Sequence, residues 1–177
     1  MICVALIDVA AQMSGVEFST LYLAQNLERT RWSPLVICPE EGALPDLSRA
    51  NGIQVTIVPH ARFFSTSIRV GNLRVPNPFA WFWNMLAFFP TALRIAKQLR
   101  ASHIQLVITK GLLAHFYGGL AAWFAAVPCV WHVQDRVSER MGALYPMFIA
   151  GVGNYLAREI IADAESIARQ FRMRVPR

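Results

Sequence analysis

The sequence predicts an α/β domain, a Rossmann-like parallel sheet of about six or seven strands with helices on both faces. Three observations predict it. Short β-branched runs alternate with longer helical segments along the chain, as in βαβ units. The first, fourth and fifth of those runs are almost continuously apolar, as strands covered on both faces must be. Hydrophobic residues make up 55% and charged residues 16% of the 177, a balance that favours a buried core over disorder. A chain of this length buries about 70% of its unfolded surface, so residues 1–177 are read as one domain.

The expected strands are residues 2–8, 34–38, 53–58, 104–109, 128–133 and 159–162. Residues 16–29 place Val16, Leu21, Leu23, Ala24 and Leu27 close to a 3.6-residue period, which predicts the first helix. Residues 42–50 predict a short second helix and residues 112–126 an apolar helix on the sheet. Residues 164–172 form an amphipathic run, with Ile167, Ala168 and Phe171 on one side and Arg169, Gln170 and Arg172 on the other. Residues 60–78 contain Gly71, Pro76 and Pro78 without a clear period and are expected as a long loop.

Residues 79–100, FAWFWNMLAFFPTALRIAKQLR, gather Phe and Trp before Pro90 and turn basic at Arg94, Lys97 and Arg100. Asn84 and Pro90 interrupt the run, so it is not expected to cross a bilayer, which takes about 20 apolar residues. Two readings stay open. In one, a core helix bends at Pro90 and its aromatic residues cover the sheet. In the other, the helix is interfacial: Trp81, Phe82, Trp83 and Phe88 dip toward lipid while Arg94 and Lys97 meet anionic headgroups.

The net charge of +6 suits an anionic membrane face or a phosphorylated substrate. The 17 Lys and Arg residues are scattered and carry no nucleic-acid motif, so no nucleic-acid partner is expected. Cys3, Cys38 and Cys129 sit in apolar β-type runs without CxxC spacing, so neither disulfides nor a zinc site is expected. Together with a short apolar start interrupted by Asp8, they predict a cytoplasmic protein, peripheral on the inner membrane face if the aromatic helix binds lipid.

Chemistry is sought at the carboxyl ends of the strands, where the loops of an open parallel sheet converge. After the first strand, Ser14 and Gly15 open a helix. Its exposed N–H groups and positive dipole end suit a phosphate or a sugar hydroxyl. The alternative is an ordinary cap, with Glu17 set against the dipole. A lone Gly15 is neither a G-x-G-x-x-G fingerprint nor a Walker A loop.

The fourth strand ends in Thr109, Lys110 and Gly111; Lys110 is read either as the partner of an anionic ligand or as a solvated charge. His115, early in the next helix, is read as structural. The fifth strand, PCVWHVQDR, puts His132 and Asp135 three residues apart, followed by Arg136, a candidate with Lys110 for binding acceptor or donor phosphate. An imidazole or carboxylate there accepts a proton from an attacking sugar hydroxyl. The alternative bonds His132 to backbone and uses Asp135 as a cap or as a partner for Arg136. No metal-ligand spacing and no nucleophile elbow occur.

The opening strand with SGVEFSTLYLAQNL, then VPCVWHVQD, then IIADAESIARQF resembles, in order and spacing, the amino-terminal domain of family-4 retaining glycosyltransferases of the GT-B fold. The first loop of that family is Gly-Gly-x-Glu; here Ser14 replaces the first glycine, while Gly15 and Glu17 match. Ala164 stands where a serine is usual. The resemblance implies that the first loop meets acceptor and donor diphosphate and that His132 and Asp135 line the cleft. It also implies hexosyl transfer with retention from a nucleotide sugar to a sugar, lipid or metabolite acceptor, without metal or cofactor. The donor-binding carboxy-terminal domain is expected to be absent and this half inactive alone. The rival expectation is a noncatalytic binding module whose aromatic helix docks a protein partner.

Overall fold

A computed structural model describes residues 1–60, 67–70, 73–134 and 144–171. Its strands are β1 (Ile2–Ile7), β2 (Trp32–Cys38), β3 (Gln54–Ile57), β4 (Ser67–Val70), β5 (Leu73–Pro76), β6 (Leu106–Lys110), β7 (Cys129–Val133) and β8 (Glu159–Ala162). Six of them, at the places the sequence predicts, form a parallel sheet in the order β3-β2-β1-β6-β7-β8.

The helices are α1 (Gly15–Asn26), α2 (Ala43–Ala50), α3 (Pro78–Ala101), α4 (Leu112–Ala125), α5 (Leu144–Leu156) and α6 (Glu165–Phe171). Period-2 alternation in the strands splits the core into two layers. Leu6, Val36 and Cys38 pack with Leu21 and Ala24 of α1 and Leu44 of α2. Ala5, Ile7, Leu35 and Ile37 point the other way, into a larger layer with Ile95 and Leu99 of α3 and Tyr117 and Ala121 of α4.

Two departures from the sequence reading have local causes. The expected loop at residues 60–78 contains an antiparallel pair, with Ile68 opposite Val75 and Val70 opposite Leu73. A Gly71-Asn72 dipeptide between short β-branched runs is a hairpin signal that the prolines obscured. Helix α5 was not expected at all, because Pro146, Gly151 and Gly153 argue against a helix. Pro146 falls in its first described turn, where a missing N–H costs little. Gly153 is required by packing, since a Cβ there would lie 2.8 Å from Trp131 Cζ3.

Helix α3 runs 24 residues and passes through Pro90, which is exposed, so the missing backbone bond lies on the solvent side. Its two halves behave differently. Ala92, Ile95, Ala96 and Leu99 are buried in the core, while Phe79, Phe82, Trp83, Leu86, Phe89 and Leu93 follow one another at helical spacing and are exposed. Phe88, which the interfacial reading sends toward lipid and the core reading sends inward, turns inward, its ring 4.4 Å from that of Tyr117. Arg94 and Lys97 are exposed, and the Trp81 side chain lies outside the described residues.

Helix α4 approaches the sheet through glycine. A Cβ on Gly118 would sit 2.3 Å from Thr109 Cγ2 and 3.1 Å from Ile7 Cδ1, whereas a Cβ on Gly151 of α5 would meet nothing within 4 Å. Gly118→Ala is therefore expected to destabilise the fold by about 1–3 kcal/mol through overpacking. Gly151→Ala is expected to stabilise it by up to about 1 kcal/mol through helix propensity. Urea denaturation of the two variants beside the parent checks both signs.

Candidate functional site

The strand order reverses between β1 and β6, so the loops after these strands diverge to opposite faces and leave a crevice at their carboxyl ends. Asp8 closes β1 from a site only 1% exposed. Its carboxylate accepts from the backbone N–H of Val9 at 2.8 Å, that of Ala10 at 3.3 Å and the Thr20 hydroxyl at 2.8 Å, tying the turn to α1. Burial pushes its carboxyl up to about 6, against the Thr20 hydrogen bond. Farther along the loop, Ala11 C=O accepts from Leu44 N–H at 2.9 Å, which fastens it to α2.

Ser14 is the N-cap of α1. The Glu17 carboxylate, buried, accepts from the Ser14 backbone N–H at 2.9 Å and from the Ser14 hydroxyl. Ser14 and Glu17 thus close the helix start on each other, as a cap does. Gly15 is different: a Cβ there would meet nothing within 4 Å, so the first turn of α1 stays open beside the crevice.

Lys110 ends β6 and is not a solvated charge. It is 2% exposed, and its Nζ donates to Ser19 Oγ of α1 at 2.6 Å. Burial lowers the ammonium to about 8, with Asp163 and Asp8 pulling the other way. Across the next pairing, Lys110 is in register with His132 and His132 with Ile161, so all three point to the α1 side. Gln134 and Asp163, two residues further along β7 and β8, share that side. Gln134 Nε2 donates to Ser19 Oγ at 3.1 Å and to Asp163 Oδ2 at 3.0 Å, and His132 Nε2 lies 2.5 Å from Asp163 Oδ1.

The result is one chain of hydrogen bonds, Lys110 to Ser19 to Gln134 to Asp163 to His132, along a single rim of the sheet. Gly15, Lys110 and His132, expected together from strand-end reasoning, do lie on that rim. Asp135 and Arg136 lie outside the described residues. Neither reading of His132 foresaw Asp163, although the rule that singles out strand ends applies equally to the end of β8. Ser19 and Gln134 had no signal of their own, because only the pairing register brings them there.

His115 belongs to the opposite face. Its Nδ1 is 2.7 Å from Thr109 Oγ1, its ring stacks on Trp131 at 4.8 Å, and burial pushes it down to about 3. It is a core histidine, as expected. Among the described residues no cluster of three His, Cys, Asp or Glu side chains is placed to hold a metal ion.

The Glycosyltransferase Family 4 model matches residues 13–176, nearly the whole chain. The chain belongs to Glycosyltransferase Family 4. Anabaena HepE, solved in complex with UDP-glucose, is 18% identical with a TM-score of 0.70, over 97% of this chain and 40% of that one. MurG of Acinetobacter baumannii is 17% identical with a TM-score of 0.63, over 94% and 43%. A putative UDP-N-acetylglucosamine 2-epimerase from Listeria monocytogenes is 9% identical with a TM-score of 0.61, over 96% and 41%. At such identities the likeness is one of fold, and the sheet with its helices corresponds to one half of a GT-B fold. This family-4 chain therefore spans about two fifths of the length of the solved structures it matches. No curated protein matches it in sequence.

The buried ammonium makes a prediction about pH. With Lys110 at about 8 in the folded chain and near 10.4 when unfolded, the unfolded state holds more protons between those values. Stability contributed through this group therefore rises as pH is taken from about 8 to about 10.5. Lys110→Met is expected to remove that rise, read from denaturation midpoints at a series of pH values.

Proposed function

We propose that this chain is the acceptor-binding half of a glycosyltransferase that moves a hexosyl group from a nucleotide-sugar donor to a sugar, lipid or metabolite acceptor. A second domain completes the cleft and holds most of the donor. The observation that carries this reading is the convergence, on one rim of a Family 4 domain, of an open helix start at Gly15, a buried cation at Lys110 and the His132 imidazole. A putative epimerase shares the fold, so family membership rather than fold selects transfer.

In this reading the first turn of α1 and Lys110 supply positive potential to the leaving diphosphate, in place of a metal ion. Transfer proceeds with retention at the anomeric carbon. His132 and Asp135 receive hydrogen bonds from sugar hydroxyls and position the attacking one. Closure of the two domains excludes water and brings donor to acceptor. HepE was solved with UDP-glucose, which makes a UDP-sugar the first donor to try.

The exposed half of α3 favours a lipid-linked acceptor presented at a membrane surface. Six large apolar side chains line one face, the helix contains no acidic residue, and Arg94, Lys97 and Arg100 follow in its basic half. Among the described residues no helix is long and apolar enough to cross a membrane, so this contact would be interfacial.

In the complete two-domain protein screened with UDP-sugars and candidate acceptors, His132→Ala and Asp135→Asn are each expected to lower kcat by about 10²-fold. Undiminished turnover in both would remove them from the mechanism. Gly15→Ala, whose Cβ would meet nothing within 4 Å, should leave the melting temperature near the parent value while raising the donor KM. The double substitution Phe82→Ser with Trp83→Ser should abolish co-sedimentation with phosphatidylglycerol vesicles. A parent protein that ignores such vesicles would refute the membrane reading.

A further inference from the structure

Asp163 is the first residue beyond β8, and its N–H reaches back to Val133 C=O of β7 at 3.3 Å. That places its carboxylate beside the end of β7, where Oδ1 meets His132 Nε2 at 2.5 Å and Oδ2 accepts Gln134 Nε2 at 3.0 Å. The Gln134 and His132 hydrogen bonds hold its carboxyl below the usual range. An ionised carboxylate only accepts, so the hydrogen in the contact with His132 sits on Nε2. In a neutral imidazole the other nitrogen, Nδ1, then carries the lone pair. No described residue donates to it.

We propose that Asp163 is a positioning residue: by fixing His132 in its Nε2–H tautomer, it presents Nδ1 as the acceptor for a substrate hydroxyl. The proposal rests on the reading above that His132 faces substrate. Gln134 prevents the carboxylate from turning, because it also donates to Ser19 Oγ at 3.1 Å, and Ser19 in turn holds the Lys110 ammonium. The imidazole is thereby oriented from β8 through a carboxylate whose own orientation is set from α1 and β6. The charged and titratable groups bearing on this pair are Lys110 from β6, which acts on Asp163, and His115 of α4, which interacts with His132.

Asparagine at this position has one accepting and one donating end. With its oxygen kept by the Gln134 amide, its amino group faces Nε2, which can then only accept, so the imidazole proton must move to Nδ1. The carboxylate side chain is 44% exposed, so the change is small for the fold.

Nitrogen-15 spectra of the imidazole groups of this chain test the proposal directly, at a pH well above the ordinary histidine value of about 6.5. Nε2–H is expected for His132 in the parent and in Asp163→Glu, and Nδ1–H in Asp163→Asn. An Nδ1–H parent, or a distribution unchanged in Asp163→Asn, overturns it. In the complete enzyme, with UDP-glucose as donor probe and water as acceptor, Asp163→Asn is expected to lower kcat at least about 10-fold with KM little changed, as a wrong tautomer does. An active parent with an equally active Asp163→Asn also overturns it. An inactive parent counts against the transferase reading instead, while the spectra still decide the tautomer.

Discussion

A buried ammonium is tolerated only where its hydrogens are bonded and opposite charge is near, and the rim of this sheet is arranged around that requirement at Lys110. Its hydrogen-bond partner Ser19 lies on α1, while the negative charges that favour it are Asp163 beyond β8 and Asp8 beyond β1. Elements far apart in sequence are thereby committed to one geometry. Moving any of them would strand a charge in an environment that solvates it poorly. That is a strong reason for the rim to keep a single shape.

Packing on the other face sets where this rim sits. Trp131 is fully buried, and glycines on two helices make room around its ring: Gly119 on α4, where a Cβ would be 3.2 Å from Nε1, and Gly153 on α5. Gly118 allows α4 down onto β1 and β6. Because Trp131 and His132 are neighbours on opposite faces of β7, close packing of the first fixes the backbone that aims the second. The core on one side therefore positions the polar groups on the other.

Helix α3 joins two kinds of surface in one element. Its second half is an ordinary core helix, and its first half carries an apolar stripe outward, so both readings of the sequence hold for different halves. The sheet with its helices is shared with HepE, MurG and a putative UDP-N-acetylglucosamine 2-epimerase, so the architecture does not by itself select a reaction.

Much of this was legible in the residues. Among the described residues, apolar runs and helical periods located all six strands of the parallel sheet and five of the six helices, and strand-end reasoning chose Lys110 and His132. Helix α5 was hidden because Gly153 reflects a tertiary neighbour, Trp131, and not a local preference. The partners Ser19, Gln134 and Asp163 were hidden for a related reason. Local periodicity states which residues alternate across a strand, and so determines the class of fold and the candidate polar ends. The parallel register, with Lys110 against His132 and His132 against Ile161, depends on non-local pairing and helix packing. Only the tertiary structure decided that these polar ends share one face and bond to one another.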